Sequence, residues 1–525
     1  TPCGTLFPYT TLFRSGNFGM FHTQMELVVK WHQNGREIKC RAATEYGSAS
    51  RTVKNEETYF SPGLTFSLVS QAGFSVRILR AGCIYDMGGP CIFASNQVKS
   101  WTIEALLAVV NSSFTQYCLT FITDSRHWHV ITIQSLPLWT LAESQKSLLS
   151  QLSLDCVCRL EELSRKKETD FLFDHPFTCN PNSSLKQHSD SLYQSIISLN
   201  GLIEDSIEQI DNIASSRFRI NPGLIKKLRK KRLRQMFENW PKDEEDILSI
   251  FTEDMISWVI GCVFGRWDVR IAIDDSLLSK LLTPFDSLPV FPPGMLVGPD
   301  GLPAESNRIV SEEWLRARPD VNTLPTEGMV GKPTISDSEY PLRIAWNGIL
   351  VDDPGFNGDR PHRDDIVRRV REILDLLWQD KAQDIEQEAC DILGVSDLRD
   401  YFRKPAKFFQ DHLKRYSKSR RKAPIYWPLS TASGSYSIWI YYHRLNDQTL
   451  YAAVNQYVEP KISEVERGLA RIEDELKAAS GGEATRLRDR LNETQTFLGE
   501  LRDLRVELLR IAALPYKPDL NDGVI

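Results

Sequence analysis

The densest chemistry in this sequence is cationic. Lys226, Lys227, Arg229, Lys230, Lys231, Arg232 and Arg234 surround Leu228 and Leu233 on a predicted helix. Lys414, Arg415, Lys418, Arg420, Arg421 and Lys422 precede Tyr426 and Trp427. Charge at this density neutralises phosphate, and nearby aromatics can stack or wedge against bases. From composition alone, each cluster reads equally well as a solvated face beside a core element. The net charge of −6 averages over these basic clusters and acidic stretches elsewhere, so it does not argue against a polyanionic partner.

Other chemistry-bearing residues read as structural. His127-Trp128-His129 would place two imidazoles on one face of a strand, but no Cys, Asp or Glu stands at ligand spacing. Gly261 and Gly265 suit a close approach of two helices better than a phosphate cradle. Asp352-Asp353 and Asp364-Asp365 fit a turn and the first turn of a helix. No G-x-S-x-G, P-loop or H-E-x-x-H motif occurs. The sequence therefore shows no catalytic, cofactor-binding or metal-binding set. Ten scattered cysteines without a C-x-x-C fit a reducing cytosol; Cys156 and Cys158 would point about 200° apart on a helix. The apolar run 258–264 is far too short to span a membrane.

With 525 residues, 42% hydrophobic and 25% charged, the chain has room for two to four globular domains. The pattern predicts an α+β fold. Residues 16–57 read as a polar linker. Phe74, Val76 and Ile78 alternate with Ser75 and Arg77, a strand period set between Gly- and Pro-containing breakers. A helix follows with Ile103, Leu106, Leu107, Val110, Phe114 and Tyr117 on one face, then a strand over 128–133, which closes a small α+β module at 58–140. Thr140 and Glu143 form a capping-box pattern opening a helix to about Lys167, within a helical region at 141–282. A Pro/Gly-rich connection spans 283–341, including the turn Phe291-Pro-Pro-Gly294. A second α+β module follows at 342–457. It contains an amphipathic helix over 363–378, with Arg368, Arg369 and Arg371 outward, and a strand pair at 425–429 and 436–442. Ile462, Val465, Leu469, Ile472 and Leu476, then Leu487, Leu491, Leu498, Leu501, Leu504 and Leu508, predict an antiparallel coiled hairpin at 458–513, reversing at Gly481-Gly482.

Thr5-Leu-Phe-Pro-Tyr-Thr-Thr-Leu-Phe-Arg-Ser15 is similar to the in-frame translation of a short-read sequencing adapter. Residues 1–15 are accordingly expected to be an artefact and 514–525 a truncated end, which makes the chain an internal fragment.

Several strings together resemble BREX-type (PglX-like) adenine-specific DNA methyltransferases. Trp31-His-Gln-Asn-Gly-Arg-Glu-Ile-Lys39, Tyr59-Phe-Ser-Pro-Gly-Leu-Thr-Phe-Ser67, Phe74-Ser-Val-Arg77 and Gly82-Cys-Ile-Tyr-Asp86 resemble the segment after their catalytic domain. Asn111-Ser-Ser-Phe114 and Ile133-Gln-Ser-Leu-Pro137 resemble the target-recognition region of these enzymes and of type IIG relatives. Gly261 to Arg270, Lys418 to Trp427 and Tyr516-Lys-Pro-Asp-Leu-Asn-Asp-Gly-Val524 recur in the same large methylases. The resemblance implies a phage-defence or restriction-related enzyme that transfers a methyl group from S-adenosylmethionine to adenine N6. Double-stranded DNA would be its substrate and other defence-system proteins possible partners. The chain departs from that family in that the catalytic half is expected to be absent, and the Pro-Pro of 292–293 lacks the amide or carboxylate before it and the aromatic after it that receive a flipped base, so no catalytic or cofactor residue carries over. What remains would be the part that selects the target, with Ser67, Gln71, Ser75 and Arg77 as base readers and residues 226–234 and 414–422 as phosphate clamps. The alternative is a non-catalytic scaffold whose helices assemble a defence complex.

Overall fold

The structure, a computed structural model, describes residues 9–13, 18–24, 28–94, 101–124, 126–218, 220–238, 240–241, 243–278, 283–289, 291–298, 301–305, 335, 339–356, 360–418 and 421–515. It is an α+β chain forming two compact units. One comprises Thr1–Phe177, His188–Ile247 and Asp275–Gly294; the other comprises Thr178–Gln187, Leu248–Asp274 and Met295–Ile525. Most of the 283–341 connection, and the string 516–524, lie outside the described residues.

In the first unit, β1 (Tyr9–Phe13) pairs antiparallel with β2 (Val28–Lys30) and in parallel with β5 (Ile84–Tyr85). A second sheet has the order β4 (Val76–Leu79), β3 (Gly63–Phe66), β6 (Cys91–Ile92), antiparallel throughout. The stretch read as linker instead holds β2 and helix α1 (His32–Tyr46), whose entry turn at Gln33, Asn34 and Gly35 has positive φ. A Cβ on Gly35 would lie 2.7 Å from the Trp31 ring, so a polar, irregular-looking stretch hides a local Trp–Gly packing rule.

The predicted single helix after this sheet is two, α2 (Ile103–Val110) and α3 (Ser113–Leu119). The break is chemical. Asn111 turns its amide onto strand β4, donating to Val76 O at 2.7 Å and accepting from Val76 N at 3.0 Å. Ser112 then caps α3, accepting from Thr115 N at 3.2 Å. An Asn able to mimic a backbone partner competes with the helix at such a point. The strand expected over 128–133 is also corrected. Trp128 is buried, His127 makes an isolated bridge to Val69, and Val130–Gln134 is a short helix, α4. Its β-branched residues gave a strand-like signal that the tertiary setting overrides.

Helix α5 (Glu143–Ser164) starts at Ala142, not Thr140; only the Gln145 half of a capping box forms, accepting from Ala142 N at 3.4 Å. Next come α6 (Leu185–Ser215) and α7 (Pro222–Met236). Leu64, Phe66, Val76 and Ile78 of the sheet share one core with Leu149 and Leu152 of α5, Ile203, Ile207 and Ile210 of α6, and Leu233 of α7. The sheet module and these helices thus bury a single apolar interior, with no break at residue 140.

Helix α8 (Glu244–Val263) belongs to the second unit from Leu248 onward and ends against Trp267. A Cβ at Gly261 would lie 2.2 Å from that ring, so this glycine admits an indole where a neighbouring helix was expected. Strands β7 (Ile349–Asp352), β10 (Tyr426–Ser430) and β11 (Ser437–Tyr441) form an antiparallel sheet with β11 central. Between β7 and β10 the chain makes α9 (Ile366–Trp378), α10 (Ala382–Leu393), α11 (Leu398–Arg403), α12 (Phe408–Arg415) and a hairpin of β8 (Ser417–Lys418) and β9 (Arg421–Lys422). Then α13 (Thr449–Ala453), α14 (Glu459–Ala478) and α15 (Gly481–Ala512) follow. The last two form the expected antiparallel hairpin: Arg502 pairs with Glu466 at 2.8 Å and Arg505 with Glu459 at 3.1 Å. Ile462, Val465, Leu498, Leu501, Leu504 and Leu508 pack it onto the sheet residues Ile349, Val351 and Ile438.

Candidate nucleic-acid interface

Helix α7 carries the first basic cluster and sorts it by face. Asn221 caps the helix by accepting from Gly223 N at 2.8 Å, and Pro222 occupies its first turn, where a missing N–H costs nothing. At about 100° per residue, Ile225, Arg229, Arg232 and Leu233 share one side and are buried. Lys226, Lys227, Lys230, Lys231 and Arg234 share the other and are exposed. None of these five makes an ion pair among the described residues.

Two residues of the expected phosphate clamp are therefore corrected to anchors. Arg229 donates to Glu208 at 2.7 Å and lies 3.6 Å from buried Asp211. Arg232 donates to Ser112 O at 3.3 Å and approaches Met20 Sδ at 3.0 Å; burial draws its guanidinium down to about 10. Asp211 also accepts from Ser113 N at 2.5 Å, while burial pushes its carboxyl up to about 6. These contacts hold the basic helix against α3 and α6 and leave five lysine and arginine head groups in solvent.

The expected base readers divide too. Gln71 is exposed. Ser67, Ser75 and Arg77 are buried, with Arg77 donating to Ser67 Oγ and Gly19 N donating to Ser75 Oγ at 3.4 Å. Burial lowers the Arg77 guanidinium to about 10. Both faces of β4 are covered, so its polar alternation marks an internal hydrogen-bonded layer, and these three residues cannot meet a groove without unpacking the module.

At the second cluster, Lys414 is exposed and reaches Asp411 at 3.2 Å, whereas Arg415 is half-buried on Asp254 at 2.6 Å. Lys418, Arg421 and Lys422 lie on the β8–β9 hairpin; their side chains, and Arg420, fall outside the described residues. Tyr426 is buried, stacked on Phe264 (5.2 Å, 19°) and His412 (4.9 Å, 26°), so it is not a base-stacking residue. Trp427, one residue on along the edge strand, remains 44% exposed.

Sequence reasoning missed a buried ionic junction. Asp352, Asp353, Asp364 and Asp365 are all buried. Arg399 donates to both Asp352 and Asp365, Arg403 to Asp352, Lys461 to Asp353 at 2.7 Å, and Arg343 to Asp364. Asp365 also caps α9, accepting from Arg368 N at 2.9 Å. Arg369, expected outward, is buried on Glu372 and the Arg343 carbonyl. The junction's partners lie 21 to 108 residues apart along the chain, so no local spacing signalled it. A cavity of about 580 Å³ beside the junction has its two cations, Arg403 and Lys461, already engaged by these carboxylates.

His127 and His129 stack at 6.1 Å, with His127 on Asp124 at 2.7 Å; no set of three His, Cys, Asp or Glu placed to hold a metal occurs among the described residues. A nucleoside cofactor on an open α/β sheet sits beyond the carboxyl ends of parallel strands. Among the described residues the only parallel ladder pairs Leu12–Phe13 with Ile84–Tyr85, and β5 leads into a turn and strand β6. These residues do not fit S-adenosylmethionine. No helix among them is long and apolar enough to cross a membrane.

No protein-family model matches the chain. It is 24% identical over 544 residues to the adenine-specific methyltransferase BrxX of Escherichia coli O9:H4 (strain HS), covering 97% of this chain and 38% of that protein. It is 22% identical over 549 residues to the adenine-specific methyltransferase PglX of Lacticaseibacillus casei (strain Zhang), covering 99% and 38%. The chain spans less than two-fifths the length of these relatives. Over nearly all of its own length, it is a homologue of the BrxX and PglX adenine-specific methyltransferases of BREX systems.

Proposed function

We propose that this chain is the DNA-contacting, non-catalytic part of an S-adenosylmethionine-dependent adenine-N6 methyltransferase acting in phage defence. The carrying observation is the two-faced helix α7: its buried arginines are paired inside the protein, and its five exposed cations are left to solvent. Such a face attracts a phosphate backbone regardless of sequence, which positions a duplex for readers placed elsewhere. The small sheet module, with exposed Gln71 at one of its turns, is the frame for target selection in this reading. Methyl transfer and cofactor binding would belong to sequence that the relatives have and this chain does not cover. Titration with duplex DNA at several salt concentrations tests the proposal. Binding that weakens linearly in log salt supports it; no binding, or binding indifferent to salt, refutes it.

A second reading, a scaffold for other defence proteins, draws on Val506 and Leu509, exposed along the last turns of α15, and on exposed Leu514 just past its end. It predicts a protein partner whose capture survives nuclease treatment.

A further inference from the structure

Helices α6 and α7, joined by the short connection 216–221, run antiparallel: Arg229 meets Glu208, and farther from the turn residues 230–237 lie opposite 197–204. Between them they leave a groove of about 410 Å³. Leu233 is its buried floor, and Phe237 lies near Ile197, which is 46% exposed. Farther along, the rims carry opposite charge, with Glu204 on α6 and Lys230 and Arg234 on α7. All three are exposed, and none makes an ion pair among the described residues. Gly201 stands between Ile197 and Glu204 on the α6 rim. Glycine is the poorest residue after proline for a helix interior. Here it takes no left-handed φ, and a Cβ would meet nothing within 4 Å. No described residue of the chain calls for it. A glycine on an exposed helix face does allow another backbone to come close.

A wholly acidic partner would satisfy Lys230 and Arg234 but would set like charge against Glu204. The groove is instead complementary to itself. Rotating a second copy about a two-fold axis along the groove lays its α6 over the first copy's α7, antiparallel and in register. Each Glu204 then stands level with the other copy's Lys230, and each Ile197 with the other's Phe237. Each Gly201 admits the other copy's α7. We propose that two copies of this chain pair through this groove, their α6–α7 hairpins forming a four-helix bundle. An isologous contact satisfies both rims with the same residues, and antiparallel helices on short loops pack in such bundles. Eight residues line the groove, against roughly 20–30 a side in a stable interface of standard size. The pairing is therefore weak and concentration-dependent. It does not rest on the DNA-contact reading, although it draws on two of the same cations.

Sedimentation velocity on the full chain, over a range of about 1 to 100 µM, tests this. The parent should shift from monomer toward dimer as concentration rises. Glu204→Lys makes both rims cationic, and Lys230→Glu/Arg234→Glu makes both acidic. Each should weaken pairing by about tenfold or more, because like charges then face each other. An equimolar mixture of the two variants restores opposite charge at both contacts and should form a heterodimer over the parental range. Gly201→Leu adds a side chain that starts in open space within its own chain. It should melt no lower than the parent yet pair about tenfold more weakly. A parent that stays monomeric at about 100 µM overturns the proposal and leaves the groove to another occupant. Dimers that persist in both charge variants overturn it in favour of a different surface. Charge variants that melt like the parent but do not pair when mixed overturn the register.

Discussion

Replacing Lys227, Lys230 and Arg234 together with glutamine should flatten the salt dependence of DNA binding without disturbing the fold. The five exposed cations of α7 run from Lys226 to Arg234, about 12 Å along the axis at 1.5 Å per residue. A duplex carries one charge per about 1.7 Å, so about seven phosphate charges pass over that length and the cations are limiting. Each contact adds about 0.9 to the slope of log affinity against log salt, giving at most about −4.5 for the parent face. Between about 50 and 200 mM salt, that slope costs about five-hundredfold in affinity. With only Lys226 and Lys231 left, the slope falls to about −1.8 and the loss to about twelvefold. Fluorescence anisotropy across that salt range measures both slopes. Because the three side chains are exposed and unpaired, denaturation should shift by no more than about 0.5 kcal/mol. An unchanged slope in a folded variant would mean that α7 faces water, and the reasoning from its two faces would fail.

Three further outcomes follow from the packing. Arg399→Met leaves the carboxylates of Asp352 and Asp365 buried beside too little positive charge; a loss of about 3–5 kcal/mol is expected in urea unfolding, and a loss near zero would show that Arg403 on Asp352 and the backbone amides of Asp353 and Arg368 on Asp365 suffice. His412→Leu removes the Nε2 that accepts from Ile425 N at 2.9 Å and Tyr426 N at 3.1 Å. Two orphaned amides cost about 1–3 kcal/mol each, so near-parental stability would contradict the assignment. Burial raises the Asp170 carboxyl from its ordinary acidic value to about 7. The folded state then binds the proton more tightly than the unfolded one, and this group's contribution to stability declines as pH rises from about 4 to 7. Buried His22 runs the other way: its value is drawn down to about 3, so its contribution is lost as pH falls below about 6.5. Asp170→Asn should therefore gain stability over the parent progressively toward pH 8 in paired melts, and a pH-independent difference would refute the burial argument.

Legibility depended on whether a pattern was local. The Ile366–Trp378 helix and the α14–α15 hairpin were readable because their apolar stripes repeat over several turns. Helix α7 was readable as basic, but its division into anchors and free cations was not. Composition gives charge density; burial depends on which carboxylates, here Glu208 and Asp211, arrive from α6. Arg77 shows the same limit, since period-two alternation identifies a strand's polar face but not whether another layer covers it.

By itself the sequence determined the α+β class, the long amphipathic helices and the helical hairpin, because each is written in spacing along the chain; the likeness to BREX methylases rests on whole strings such as Tyr59 to Ser67. Tertiary structure alone decided that Ser67, Ser75, Arg77, Arg229, Arg232 and Tyr426 are internal and that four aspartates meet four cations at one junction. Those outcomes turn on desolvation, and the water a side chain loses is set by residues far away in sequence.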